Sequence, residues 1–212
     1  MMEAIPWLVQ GLATTLIVTL TAFAMGAVLG LPLALARRSK FLPLSFLATA
    51  YIEIARGIPP IAWVLLLFFG LQRHISFSPL TAGILALGLI AAAYLAENYR
   101  SGIEAVNQGQ WEAAQSVGLN PRDTFFRIIA PQGISVALPP STNYLVGLFK
   151  DSAVVSVIGV TDIAFQALTY TQQGNPGLPV FAAAAGVYLL IGIPLAIIAR
   201  KSDQIVRAKL AV

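Results

Sequence analysis

The sequence contains no cysteine, a single histidine and few charges, since only 10% of its 212 residues are Asp, Glu, Lys or Arg. Without cysteine the chain can form neither a disulfide nor a thiolate metal site. His74 has no neighbouring ligand residues, so we predict a loop residue and no metal site. Charge this sparse, beside 58% hydrophobic side chains, excludes a soluble globular domain, where roughly a quarter of residues are charged.

Catalytic signatures are missing as well. The sequence has no GxxxxGK[ST] phosphate loop, no HExxH pair and no GxSxG nucleophile motif. We therefore predict that the chain is not an enzyme and binds no cofactor itself. The net charge of +4 is explained by basic loops, and it gives little support to a nucleic-acid partner. A membrane chain of this kind can drive uphill transport only through an ion gradient or a separate ATPase.

Long uncharged runs predict an all-α integral membrane protein surrounded by lipid. No charge occurs between Glu3 and Arg37, and similar runs cover residues 128–149 and 178–199. Each run can cross a hydrocarbon core of about 30 Å as a helix, which satisfies its own backbone groups in lipid. A cleaved signal peptide is disfavoured, because the first run lacks a basic start and is too long.

We expect one transmembrane domain, residues 1–212, with five spans. They are predicted at about 8–36, 43–71, 80–96, 125–148 and 178–199. The stretch 151–167 is too short in its apolar part to cross alone, so a short re-entrant or interfacial helix is predicted there. Gly57, Pro59 and Pro60 should kink the second span, and Pro139 and Pro140 should interrupt the fourth, because proline lacks the amide donor.

The basic residues are distributed unevenly between the two sides of this arrangement. With the amino terminus outside, the cytosolic set is Arg37, Arg38, Lys40, Arg100, Arg122, Arg127, Arg200, Lys201, Arg207 and Lys209. The opposite side has Arg73 and Lys150, and Arg56 is unassigned. By the positive-inside rule we predict an inner (cytoplasmic) membrane protein with the amino terminus outside and the carboxyl terminus in the cytosol.

The polar loop at about 101–126 then lies in the cytosol, and its sequence predicts two short capped helices. Residues 112–115 favour a helix, Gly118 suits a left-handed helix cap, and Asn120 with Pro121 is typical of a helix start. Local chemistry alone leaves open that this is only a well-capped loop.

Ionisable and polar residues near membrane depth are candidates for a transport pathway. They are Glu97, Asn98, Lys150, Asp151 and Asp162, and each could instead be a helix-end or interface residue. Glu53 and Arg56 are three residues apart, so they could pair on one helix face or mark an interfacial helix end.

The loop carries the spacing of a known motif. Glu112-Ala113-Ala114, three residues, Gly118, nine residues, Ile128 and then Pro131 resemble the EAA loop of ABC importer permeases, E-A-A-x3-G-x9-I-x-L-P, with Ala130 in place of leucine. The segments GLATTLIVTLTAF, ARGIPPIAWVLLLFFGL, AAYLAENYRSGIEAV and LFKDSAVVSVIGVTDI also resemble permeases for polar amino acids, the histidine/glutamine/arginine-type family. The likeness covers nearly the whole chain.

The resemblance implies a type I ABC importer permease fold and a partner set. Two permease chains, identical or paralogous, would sit on two ATPase subunits that bind ATP and Mg, and a periplasmic or lipid-anchored binding protein would deliver a polar or charged amino acid or an analogue such as an opine. Glu112 would complement the ATPase, Ala113 and Ala114 would allow close packing, and Gly118 would set a bend, with Ile128 and Pro131 completing the motif.

Departures from the usual family motifs lie at Ile58, Ala62-Trp63, Asn98, Ser101 and Ala153-Val154, and some could bear on substrate choice. Two other hypotheses stay open on the residues. One is an ion-coupled carrier in which Glu97, Asp162 or the Glu53/Arg56 pair relays charge. The other is a membrane scaffold or sensor whose loop only docks a partner.

Overall fold

The computed structural model describes residues 4–72 and 74–210, without the side chains of residues 205–210. Within these ranges the chain is helical and contains no strand. The helices are α1 (Ile5–Arg37), α2 (Leu42–Gly57), α3 (Pro60–Leu65), α4 (Pro79–Glu104), α5 (Gln108–Ser116), α6 (Pro121–Thr124), α7 (Ala130–Asp151), α8 (Ile163–Gln172) and α9 (Gly177–Leu210). Arg73 and the side chains of Arg207 and Lys209 lie outside the description.

Irregular helical turns link several of these elements. A π-helical turn, Leu66–Gly70, extends α3, and a second one, Phe125–Ile129, joins α6 to α7. A 3-10 helix, Ser152–Ile158, follows α7. Three helices are long and apolar enough to cross a membrane, namely Ile5–Arg37, Pro79–Glu104 and Gly177–Gln204. Two bent pairs, with angles of 107° and 45°, bring the number to five if each crosses once, which agrees with the predicted all-α fold.

Small residues let α1 and α4 pack closely and in parallel. Gly26 of α1 faces Ala91, and Gly30, one turn later, faces Ala96. A Cβ atom added at Gly26 would lie 2.8 Å from the backbone carbonyl carbon of Ala91. In lipid the hydrophobic effect does not drive helices together, so they associate through close packing of this kind.

The direction of the helices gathers the polar segments at one end of the bundle. Helix α7 is antiparallel to α4, since Asn98 meets Ser141 while Gly102 meets Gly133. The end of α1, the end of α4 and the start of α7 therefore meet beside α5 and α6, and we call this the loop end. The start of α9 packs against the start of α1, so the end of α9 lies at the loop end as well. Most described basic residues lie there: Arg37, Arg38, Lys40, Arg100, Arg122, Arg127, Arg200 and Lys201.

Two helices are longer or straighter than predicted. Helix α4 continues past residue 96 to Glu104, because Arg100 forms ion pairs with Glu97 and Glu104 along one helix face. Pro139 and Pro140 do not interrupt α7. The hydroxyls of Ser141 and Thr142 donate to the carbonyl oxygens of Ala137 and Pro139, at 2.7 and 2.9 Å, and the helix continues across the two prolines to Asp151.

Candidate functional site

Residues 105–124, between α4 and the π-helical turn that leads into α7, form a compact arm. Helix α5 begins at the side chain of Asn107, which accepts a hydrogen bond from the amide of Gly109 at 2.7 Å. It ends at Ser116 and is capped by Gly118, whose φ of +74° is the left-handed conformation that glycine adopts without strain. The amide of Leu119 then donates to the carbonyl oxygen of Ala114 at 3.0 Å, closing a Schellman turn.

The second half of the arm starts in a similar way. Asn120 is the N-cap of α6, and its side-chain oxygen accepts from the amide of Asp123 at 2.9 Å. Pro121 occupies the first helical position, where its missing amide proton costs nothing. The two caps and the glycine turn fix the angle between α5 and the helix that leads into α7.

An apolar cluster holds the arm on the bundle. It consists of buried Ile103, Val106 and Ile129 together with half-buried Trp111, Phe125 and Ile128, and we call it the anchor cluster. Since Ile103 belongs to α4 and Ile129 leads directly into α7, the cluster joins the arm to both helices. Ala114 is also buried, so α5 turns one small side chain inward.

The opposite face of α5 is exposed and smooth. Glu112 and Ala113 are exposed, and Ser116 folds its hydroxyl back onto the carbonyl oxygen of Glu112 at 2.9 Å. Gly118 has nothing within 4 Å of where a Cβ would stand. The motif residues therefore divide between two roles in the structure: Glu112, Ala113 and Gly118 face outward, whereas Ala114 and Ile128 face the bundle. Pro131 lies exposed in the first turn of α7.

A cavity of about 440 Å³ lies beside the break between α2 and α3. Helix α2 ends at Gly57 and α3 begins at Pro60, at an angle of 107°. The indole nitrogen of Trp63 donates to the carbonyl oxygen of Ala55 at 3.2 Å and satisfies one acceptor that the broken helix leaves open. The other walls come from α4 and α7.

The cavity wall combines two opposite charges with two aromatic rings. Arg56 lies over the ring of Tyr94, with its guanidinium carbon 5.2 Å from the ring centroid, a distance suited to a cation–π contact. Tyr94 stacks on Tyr144 across the α4–α7 interface, at 4.8 Å between centroids. Asp151, at the end of α7, also lines the cavity. Between largely apolar helices, such a group of side chains makes the cavity a candidate functional site.

Glu97 belongs instead to a charge network at the loop end. Its carboxylate accepts from Arg37 at 2.7 Å and also pairs with Arg100, while Arg37 reaches Glu53 at 3.2 Å. The network joins α1, α2 and α4. Glu53 thus pairs with Arg37 across two helices, in place of the pairing with Arg56 that the three-residue spacing allowed.

The other predicted pathway residues are dispersed. Asn98 donates to the hydroxyl of Ser141 at 3.4 Å, away from the cavity wall. Lys150 is exposed near the end of α7. Asp162 is fully buried and caps α8, where one of its oxygens accepts from the amide of Phe165 at 2.8 Å. Among the described residues, no cluster of three or more His, Cys, Asp or Glu side chains could hold a metal ion.

Comparison with known proteins places this architecture in a family. Residues 26–208 match the family model described as the binding-protein-dependent transport system inner membrane component. The chain belongs to this family. It is therefore a membrane-spanning permease of an importer system, and the assignment favours that function over the ion-coupled carrier.

Related proteins agree with the assignment along the chain. The permease is 40% identical over 162 residues to the probable amino-acid ABC transporter permease protein YckA of Bacillus subtilis (strain 168), covering 76% of this chain and 72% of the relative. It is 34% identical over 189 residues to the probable glutamine ABC transporter permease protein GlnM of the same organism, covering 89% and 88%. A solved amino acid ABC transporter, crystallised with histidines, superposes with a TM-score of 0.90 at 33% identity, covering 96% of both chains.

Sequence reasoning missed Tyr94 and Tyr144 of the cavity wall, and it missed the link between Arg37 and Glu97 in the charge network. Tyr94 and Tyr144 resemble ordinary aromatic residues of spanning helices, and only the antiparallel contact of α4 with α7 brings them together. Arg56 was not assigned to either side of the membrane. The pairing of Arg100 with Glu97 and Glu104 was readable from i,i+3 and i,i+4 spacing, but the link from Arg37 to Glu97 crosses 60 positions.

Proposed function

We propose that the permease forms the translocation pathway for a polar or charged amino acid, or a close analogue such as an opine, in an ATP-driven, binding-protein-dependent importer. The observation that carries the proposal is the 440 Å³ cavity at the α2–α3 break, where Arg56 and Asp151 place opposite charges on the walls. The relatives whose printed names specify amino acids and glutamine support the same substrate class.

A free amino acid has the charges that this cavity complements. Its carboxylate suits the planar donor fork of Arg56, which can bind both oxygens at once. Its ammonium group suits the carboxylate of Asp151 and the faces of Tyr94 and Tyr144. Asp151 is the one predicted pathway residue that lines the cavity. In this proposal Glu97, Asn98, Lys150 and Asp162 support the bundle without touching substrate.

The exposed face of α5 is the proposed contact with an ATPase. Glu112 offers a charge, Ala113 leaves room for close approach, and Gly118 holds the angle at which α5 is presented. Ala114, Ile128 and Pro131 connect this face to the bundle. ATP and Mg belong to the ATPase in this proposal, and the permease contributes no catalytic residue.

We further propose that the loop end faces the cytosol, with the amino terminus outside and the carboxyl terminus inside. The support is the basic cluster at the loop end and the positive-inside rule. The partners are then two ATPase subunits beneath the arm, a second permease chain, identical or paralogous, and a periplasmic or lipid-anchored binding protein on the other side.

The anchor cluster gives this arrangement a mechanical route. Closure of the ATPases would move α5, and Ile103 and Ile129 would pass the movement to α4 and α7. These helices carry Tyr94, Tyr144 and Asp151, so the cavity walls shift with the arm. Nucleotide would thereby bias two global states that open the cavity to one side or the other.

The test uses the complete importer in lipid vesicles with its binding protein. First, a panel of amino acids is screened for the one that raises the ATPase rate. Uptake of that amino acid is then measured for Arg56→Gln and Asp151→Asn, with Lys150→Gln as the matched control outside the cavity wall. We expect the two cavity variants to lose uptake by tenfold or more, the range of a charged hydrogen bond. Wild-type uptake by both would refute the cavity as the pathway.

A further inference from the structure

A second cavity, distinct from the one at the α2–α3 break, opens between α1, α4 and α7. It has a volume of about 540 Å³, within the range of roughly 300–1,000 Å³ typical of ligand sites. We propose that this groove binds one acyl chain of an anionic phospholipid of the surrounding membrane, and that Arg38 and Arg122 hold the lipid phosphate at the loop end.

The groove lining is suited to hydrocarbon. Phe23 and Leu31 of α1 form one wall, Ile103 of α4 forms the floor at the loop end, and Phe126 and Ile134 form the other wall. Most of the lining is aliphatic or aromatic, and Ile134 and Phe126 are well exposed. The three helices lie in spanning segments, so the groove is surrounded by lipid acyl chains that could enter it.

The dimensions fit a chain from one leaflet. On α1 the lining residues extend from Phe23 to Leu31, eight positions, which is about 12 Å at 1.5 Å per residue. Half of a hydrocarbon core of about 30 Å is of similar length. A chain that enters at the loop end would therefore reach near the bilayer centre, where the groove wall on α1 ends.

The charges at the loop end of the groove indicate which headgroup is preferred. Helix α1 runs toward the loop end, and Arg38 lies two turns beyond its last lining residue, Leu31. The chain that leads into α7 runs away from the loop end, and Arg122 lies one turn before the lining residue Phe126. Both arginines therefore lie on the loop-end side of the groove. Arg37, Arg100 and Arg127 of the loop end are each paired with a carboxylate. In the part of the chain that the structure describes, Arg38 and Arg122 form no such pair, and both are exposed.

An acyl chain gains little by leaving lipid for an apolar groove, so the headgroup decides which lipid is bound. Each arginine near the surface should favour an anionic lipid by about fivefold, and the two together by roughly 25-fold. The bound lipid would also touch the coupling route, because Phe125, Phe126 and Pro131 of the lining stand where the arm enters α7.

The proposal is tested on the complete importer in nanodiscs of phosphatidylcholine that contain a trace of photoactivatable lipid. The probe is either phosphatidylglycerol or phosphatidylcholine with a diazirine in one acyl chain. We expect the phosphatidylglycerol probe to label the peptide around Ile134 about 25-fold more than the phosphatidylcholine probe, relative to labelling around Val28. Val28 is 71% exposed on α1 and does not line the groove.

Variants separate the two parts of the site. Arg38→Gln with Arg122→Gln should abolish the preference between probes while leaving the chain in the groove. Ala27→Trp should fill the groove and remove labelling by both probes, whereas Val28→Trp should not. Ile134→Trp serves as a second filling variant if Ala27→Trp fails to assemble.

Two results would overturn the proposal. Equal labelling of the Ile134 region by both probes would show that the arginines do not select the headgroup. Absence of labelling by both probes would show that no acyl chain occupies the groove, and disulfide formation between two copies of an Ile134→Cys variant would then show that a second permease covers it. The chain has no native cysteine, so the introduced thiol is the only one in each copy.

Discussion

Gly118 provides a direct test of whether the angle of the arm matters for coupling. Its φ of +74° costs an L residue about 1–2 kcal/mol, and an added Cβ meets nothing within 4 Å. Gly118→Ala therefore changes backbone strain without a steric clash. A cost of that size lowers the ratio of bent to unbent arm by roughly 5- to 30-fold.

The assay compares ATP hydrolysis with amino acid uptake by the same vesicles. For Gly118→Ala we expect normal membrane insertion but fewer amino acids imported per ATP. Gly118→Asn should retain more coupling, because asparagine is the other residue that commonly occupies this helix cap. Gly118→Asp adds a charge on the exposed face and should abolish uptake. Val117→Ala, at an exposed neighbour with φ of −93°, is the control and should behave as wild type.

The ranking of the variants decides the interpretation. If alanine, asparagine and aspartate at position 118 all import at the wild-type ratio, the bend has no part in coupling. If the asparagine variant imports as few amino acids per ATP as the aspartate variant while the alanine variant matches wild type, the loss comes from side-chain bulk on the ATPase-facing surface. That result would refute the backbone argument.

Three further predictions concern stability, each measured as a change in unfolding free energy or melting temperature in detergent. Glu97→Gln should lower the unfolding free energy by about 2 kcal/mol, because it removes the carboxylate that Arg37 and Arg100 share. The loss is below the roughly 3–5 kcal/mol of a fully buried pair, since these two side chains are 20% and 24% exposed. Its control Glu53→Gln, 58% exposed, should cost under about 1 kcal/mol; equal losses would contradict the network. Gly26→Ala should cost about 1–3 kcal/mol by overpacking against Ala91, whereas Gly186→Ala, with open space around it, should be neutral; a neutral Gly26→Ala would disprove the close contact. Trp111→Ala should loosen the arm and cost about 2 kcal/mol, less than a fully buried tryptophan because the side chain is half-buried, and unchanged proteolysis of residues 105–124 would argue against it.

The spanning helices and the caps of the arm were predictable because their causes are local. Uncharged length determines a span, and Gly118, Asn120 and Pro121 act within a few residues of themselves. The course of α7 through Pro139 and Pro140 was predicted wrongly, since each proline removes only one amide donor and the helix is held on both sides of them by its packing on α4. Local chemistry sets where a helix starts more reliably than whether it continues.

The cavity wall could not be predicted for a different reason. Arg56, Tyr94, Tyr144 and Asp151 are separated by up to 95 positions, and they meet only because α4 and α7 are antiparallel while the α2–α3 break turns Arg56 toward them. Glu97 appeared equally suitable in sequence, as an acidic residue at the end of a span. The structure gives it two arginine partners, which leaves its carboxylate already neutralised.

The division of the cavity wall among helices bears on how the arm could control it. Tyr94 and Tyr144 stack across the same two helices that the anchor cluster connects to the arm, so they should move with it as a pair. Arg56 lies at the end of α2, which contributes no residue to the anchor cluster and packs on α4 through Ile52 and Ala55. A shift of α4 against α2 would change the 5.2 Å contact between Arg56 and Tyr94 and leave the aromatic stack intact, because both stacked rings belong to helices that meet in the anchor cluster. The guanidinium would then be freed for a substrate carboxylate in one state and returned to the ring in the other, which couples substrate binding to arm position without any charge crossing the membrane core.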